Sequence, residues 1–290
     1  MEGTRAEARD YMGTETLDHK CSRGLQPAFT NERGIVMSDY SLIAETLMES
    51  LRLRVAPVAV CLTDKPPQGV SGPSKPAAAG CVFWEWGARG ALVTSPKDHS
   101  NCAVGMFTHH MPLATPSQQE NLNDSLKVFA DLGYVRPEDI PGIPVLKDEA
   151  KYVVYAPLAS TPLPPSTVLL FANSRQSLAI TEAVQQVEPG VPPALGRPAC
   201  AVIPQAVNTG KPALSLGCCG ARAYLDVLTD DFALWALPGP RIADYAERIK
   251  VLANANNTLT KFHELRRSDV EAGQSPSVKE SLVRLEKASS

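Results

Sequence analysis

The sequence predicts an α/β or α+β fold: two pseudo-repeated halves forming one compact domain with short mixed strands. Three observations carry this. Short apolar runs alternate with stretches whose apolar residues recur every three or four positions. Twenty-five prolines separate these segments, so elements are short and connections stiff. Finally, two similar words occur, each reading cysteine, helix, glycine, strand, cysteine. One runs from Cys81 to Gly105 and the other from Cys200 to Ala221.

The first 36 residues are polar, charged and without period, and read as a disordered N-terminal extension. Met37, where organised pattern begins, is a candidate start. A globular domain is expected over residues 37–256, with halves at about 37–160 and 161–256. Residues 257–290 form a charged C-terminal tail or helix.

Ser38-Asp39 caps a helix whose inward positions are Tyr40, Ile43, Ala44, Leu47, Met48 and Leu51. Residues 57–62 form a buried strand in which Cys61 serves as a small core residue. A Pro/Gly/Ser loop follows, and then Ala77–Ala88 reads as a helix carrying Cys81, Trp84 and Trp86, with Gly90 as its left-handed cap. Residues 91–94 are a strand. Residues 95–101 are a polar loop whose His99, three residues before Cys102, reads as solvated, with substitution for one cysteine ligand as the alternative. A short helix begins at Cys102, and His109-His110 stand at its end.

An amphipathic helix covers 117–132, with Leu122, Leu126, Phe129 and Ala130 inward. The strand Tyr152–Ala156 closes the first half. The second half opens with the strand Ser166–Ala172, followed by a helix over 176–187 that Ser174 caps. A short helix runs over 200–207 and the strand Ala213–Leu216 follows. Gly217-Cys218-Cys219-Gly220 then leads into a helix. Residues 232–237 are a strand and 241–256 a helix. The tail holds one further amphipathic stretch, 278–285.

Aligning the halves sets Cys81 against Cys200 and Cys102 against Cys218. The spacings are 21 and 18 residues, and the difference lies in the loop before Cys102. If the unit is duplicated about an approximate two-fold axis, the four cysteines converge on one central site.

Composition bounds the function. The chain has 290 residues, is 44% hydrophobic and 20% charged, and carries a net charge of −3. A broad nucleic-acid surface is not indicated. No apolar run reaches the roughly 18 residues of a membrane span, and no signal peptide is read at the N-terminus. A cytoplasmic location is expected, where seven cysteines are free, metal-bound or redox-active rather than structural disulfides. Walker A, G-x-G-x-x-G, G-x-S-x-G and H-E-x-x-H motifs are absent.

Three chemistries fit. Four soft sulfur ligands, Cys81, Cys102, Cys200 and Cys218, suit an iron–sulfur cluster or another thiolate-bound metal, although no C-x-x-C pair is present. Alternatively, Cys102 and Cys218 at helix starts act as metal-free redox thiols, since a helix N-terminus favours thiolate. Cys219 then turns into the core. In the third reading Trp84 lines a pocket for a small organic ligand whose acidic group meets Arg89 and Arg222. Trp84 also reads as ordinary core, and Arg222 as a residue that holds the helix start or pairs with a surface acid.

The words Ala56-Pro57-Val58-Ala59-Val60, Ala88-Arg89-Gly90, Cys102-Ala103-Val104-Gly105 and Leu216–Arg222, in this order, resemble the uncharacterised family called domain of unknown function 169. The resemblance spans about residues 40–250. It implies no particular reaction. It does imply that the cysteine words at Cys102 and Cys218 are the family's own and that Cys219 is a local variation. The expected function is a cytoplasmic protein holding a cysteine-ligated metal or iron–sulfur cofactor between its halves, for redox or small-molecule chemistry. Its partner would be a small molecule or a redox protein, with no nucleic acid or membrane involved. The alternative is a metal-free small-molecule binding or thiol-redox protein.

Overall fold

A seven-stranded sheet organises the chain, with strand order β2-β3-β1-β4-β7-β6-β5. The computed structural model describes residues 38–113 and 115–289, so the expectations for residues 1–36 and Met37 lie outside the described residues. The strands are β1 (Val58–Thr63), β2 (Leu92–Thr94), β3 (Tyr152–Pro157), β4 (Thr167–Asn173), β5 (Ala194–Leu195), β6 (Ala213–Ser215) and β7 (Phe232–Pro238). All neighbours are antiparallel except β5 and β6, so the α/β sheet is mixed, as expected.

The strands alternate between two cores because successive side chains point to opposite faces. Val58, Val60, Leu169, Phe171, Leu234 and Ala236 face one side, with α2 (Val82–Gly87) and α6 (Val202–Thr209). Ala59, Cys61, Val168, Leu170, Trp235 and Leu237 face the other, under α1 (Ser38–Leu51), α5 (Ser174–Val187) and α8 (Ile242–Glu271). With both faces covered, the central strands read as continuous apolar runs, which is what made them recognisable.

Cys61 is a core residue, as expected. Its Sγ lies 3.5 Å from Thr161 Oγ1 and 3.4 Å from the Leu163 carbonyl. Burial raises its pKa to about 11, against the usual 9.0. The unfolded chain therefore loses this proton near pH 9, while the fold keeps it until about pH 11. The stabilisation is complete below pH 9 and is lost as pH rises toward 11, a span of about 3 kcal/mol at most. Denaturant unfolding at pH 8 and at pH 10.5 should show a smaller alkaline loss for Cys61→Ala than for the parent. Equal losses would contradict this.

Elements on the two sides of the central β1–β4 pair follow the same chain order. From β1 come α2, β2, α3 (Ala103–Thr108) and β3, and from β4 come α6, β6, α7 (Cys219–Tyr224) and β7. Both sequences end in a proline and a short 3-10 turn, at Pro157 and at Pro238. The first side adds α4 (Pro116–Asp131) between α3 and β3. The second adds α5 and β5 ahead of α6.

Several local expectations are corrected. Helix α2 begins only at Val82. The Asn101 side chain binds the Ala77 carbonyl at 3.0 Å, and Val82 N bonds the Ala79 carbonyl in a tight turn. Gly90 is not left-handed, since α2 ends on Ala88 in the ordinary right-handed conformation. Asn173, not Ser174, caps α5, accepting from Gln176 N at 3.0 Å. Strand β5 was not anticipated. Helix α8 continues past 256 to Glu271, and α9 (Val278–Ser289) follows, with Arg284 pairing the buried Asp269 at 2.9 Å.

Candidate functional site: a cysteine-lined cavity

Four separate segments bring Cys81, Cys102, Cys200 and Cys218 to the wall of one cavity of about 360 Å³. Cys81 immediately precedes α2, and Cys200 sits in the 3-10 turn that leads into α6. Cys102 and Cys218 are the N-cap residues of α3 and α7, two six-residue helices. Gly217 holds φ at +94°, a conformation that side-chain-bearing residues rarely adopt, and so turns the chain sharply from β6 into Cys218. The Cys218 Sγ accepts from Ala221 N at 3.4 Å.

Close backbone approach seats Cys102. A methyl group added at Gly105 would lie 2.7 Å from Cys102 Sγ, and one at Gly80 would lie 3.8 Å from it and 2.8 Å from His99 Nδ1. Gly105→Ala should therefore displace this sulfur. Alanine would otherwise favour the helix by about 1 kcal/mol, so stability should hold. The expected outcome is a changed rate of Cys102 alkylation, read by mass spectrometry, with the melting temperature within a few degrees of the parent's. An unchanged rate would count against the contact.

The thiols sit in a neutral environment. Among the described residues, no charged side chain lines the cavity. Burial raises Cys81 to about 12, and the neighbouring Cys102 and Cys218 thiols add to the rise. Cys200 is raised by burial and then by Cys102. Cys102 is raised by burial despite the Gly80 and Gly105 backbone groups that pull it down. The expectation of a thiolate at a helix start is thus corrected at Cys102, because two turns of helix do not outweigh desolvation.

Cys219 also departs from expectation. It is exposed and lines the cavity mouth instead of entering the core.

Trp84 lines the cavity and is fully buried. Arg89 does not line it. Its guanidinium pairs with Glu85 at 2.5 Å, and Glu85 in turn accepts from Asp226 N at 3.0 Å, joining α2 to the segment after α7. Arg222 does not line it either. It donates to the carbonyls of Leu216, Thr229 (2.6 Å) and Phe232 (3.2 Å) and lies 3.7 Å from Asp230. This is the structural role weighed for it: the side chain holds the loop on either side of Cys218.

The structure adds residues that the sequence did not mark. His99, expected to be solvated, is 1% exposed and bonds Thr94 Oγ1 at 3.0 Å. His109 is buried on the cavity wall. Tyr155, on β3, is fully buried, and its pKa is raised by burial and then by Cys200, Cys102 and Cys81. Trp84 Nε1, Tyr155 Oη and His109 Nε2 are all buried without an aligned hydrogen-bond partner. Each such atom costs about 1–3 kcal/mol if nothing meets it.

Among the described residues, no three His, Cys, Asp or Glu side chains stand close enough together to hold a metal ion as placed. No helix among them is long and apolar enough to cross a membrane.

Fold and site together define a class: a mixed α/β domain with a cysteine-lined cavity on one face of its sheet. The chain belongs to the family described as uncharacterised ArCR, the domain of unknown function 169, which matches residues 46–248. Comparison with curated proteins returns no match, and comparison with solved structures returns none.

Proposed function

We propose that this protein holds a thiolate-bound metal centre, preferentially an iron–sulfur cluster, on Cys81, Cys102, Cys200 and Cys218, and serves cytoplasmic redox or small-molecule chemistry. One observation carries the reading: four cysteines from four segments line a single uncharged cavity.

The donor chemistry fits. Burial holds the Cys81, Cys102 and Cys200 thiols toward the protonated form, and a metal would supply the positive charge that lets them ionise. The Trp84 indole N–H, on the cavity wall, suits a sulfur or ligand acceptor there. Cysteine has one side-chain torsion, so rotation between staggered positions can turn the sulfurs inward. When bound, such a centre supplies electron transfer or a Lewis-acid iron. The chain's own contribution is an uncharged lining, with Arg222 and Gly217 fixing the approach to Cys218.

A second reading is a metal-free small-molecule binding or thiol-redox protein. The cavity shares Val104, Phe129, Tyr134 and Pro198 with a neighbouring pocket of about 220 Å³ lined also by Arg197. Arg197 stacks over the Tyr134 ring at 4.5 Å, so an organic acid has an apolar wall and a cation within reach. The raised pKa of Cys102 weighs against the redox branch at that residue, since the branch needs thiolate.

Anaerobic purification followed by iron, zinc and acid-labile sulfide analysis tests the choice. Iron with sulfide supports the cluster. Protein free of metal, both as isolated and after reconstitution with ferrous iron and sulfide, would overturn it in favour of the second reading.

A further inference from the structure

We propose that the cysteine cavity and the pocket beside it form one site for an organic monocarboxylate with an apolar body, its carboxylate held by Arg197. This rests on the small-molecule branch of the second reading above and needs no metal.

The two chambers adjoin. Val104, Phe129, Tyr134 and Pro198 line both the cysteine cavity of about 360 Å³ and the outer pocket of about 220 Å³. Together they reach the size of small-molecule sites, about 300–1,000 Å³, which the outer pocket alone does not. Leu126 and Ile143 extend the apolar wall of the outer pocket.

Charge in the outer pocket leaves one group free. Its wall holds a single cation, Arg197, and a single acid, Asp139. Asp139 is spent, since both of its oxygens accept from Arg136, at 2.7 and 2.8 Å. Arg197 is exposed, lies 4.5 Å over the Tyr134 ring and has no salt bridge among the described residues. A guanidinium stacked on a ring is held in place without spending its N–H donors, and its planar fork matches the two oxygens of a carboxylate. The Asp139 carboxyl is held below its usual pKa by its Arg136 hydrogen bonds and, to a smaller extent, by the Arg197 charge, so a negative charge stays near the guanidinium. A group with two negative charges, such as a phosphate, meets that repulsion more strongly than a monocarboxylate does.

The wall shared through Tyr134 and Phe129 leads into the cysteine cavity, whose lining carries no charged side chain. A second charge on the ligand has no partner there. Trp84 stands on that wall, and its Nε1 is buried without a hydrogen-bond partner, so a neutral acceptor at the far end of the ligand meets the indole N–H. Arg197 thus supplies the cation that Arg89 and Arg222 do not, because Glu85 engages the first and backbone carbonyls the second.

The test titrates the full chain, purified without added metal, with hexanoate, benzoate and phenylacetate and with the corresponding neutral amides, by isothermal calorimetry. At least one acid should bind about tenfold or more tighter than its amide. Arg197→Gln should abolish that preference. Asp139→Asn should tighten the acid and leave the amide unchanged, an effect that a merely structural role would not produce. Arg175→Gln, on α5 across the sheet, should change neither. Arg197 and Asp139 are both exposed, so the variants should fold. Equal affinity for acid and amide, or a preference that survives Arg197→Gln, overturns the inference and leaves the small-molecule reading standing. Absence of binding by every acid and every amide overturns both.

Discussion

Cys102→Ser and Cys218→Ser should each strip the reconstituted protein of its iron, while Cys219→Ser and Cys61→Ser should leave the iron content near that of the parent. The contrast follows from position. Cys102 and Cys218 cap α3 and α7 at the cavity, whereas Cys219 is exposed at its mouth and Cys61 lies on the opposite face of the sheet. Serine keeps the size of cysteine but replaces a soft, ionisable sulfur with a hard hydroxyl that does not ionise near neutral pH. Changes outside the ligand set typically cost 10–100-fold in metal affinity, so loss of a direct ligand should exceed that. Iron content after gel filtration, with folding checked by circular dichroism, measures it. Equal retention in all four variants would remove these cysteines from the site.

The largest expected effect on stability lies far from the cysteines. A methyl group on Gly239 would meet the Pro165 carbonyl oxygen at 1.8 Å and the Pro165 carbonyl carbon at 2.5 Å. Both partners are backbone, and Gly239 N also donates to the Ser166 carbonyl at 3.1 Å, locking the end of β7 to the start of β4. No side-chain rotation relieves such a contact, so the central β4–β7 ladder must shift. Overpacking of this kind costs about 3 kcal/mol or more, a large share of a typical 5–15 kcal/mol stability. For a domain of this size that corresponds to a fall of about 6–12 °C in melting temperature. Gly90→Ala is the control. It meets nothing within 4 Å at an ordinary φ and should change little. Similar melting temperatures for both variants would refute the close approach.

The sheet was legible because local pattern determines it. The apolar runs of β1, β4 and β7 are buried on both faces, and the two cysteine words keep their order along the chain. What was missed depends on groups distant in sequence. Ala77 leaves the helix because Asn101, 24 residues on, binds its carbonyl. His99 looked solvated among polar neighbours, yet the packing of Gly80 and Phe83 against it closes off water. Tyr155 read only as a strand residue, since nothing in Tyr152–Pro157 signals that burial and three distant cysteines raise its pKa. Arg222 was placed within reach of a ligand because it follows the cysteine word, but the backbone carbonyls of Leu216, Leu228, Thr229 and Phe232 take its donors. His109 was read as a helix end, which it is. That it lines a cavity depends on how α3 packs against segments some 100 residues away.

Native mass spectrometry of the anaerobically reconstituted chain tests the central claim most directly. The account predicts one iron–sulfur adduct per chain, absent from a variant in which Cys81, Cys102, Cys200 and Cys218 are all serine and retained when only Cys219 is serine. A polypeptide mass without metal in the parent chain, or an adduct that survives in the fourfold variant, would contradict it.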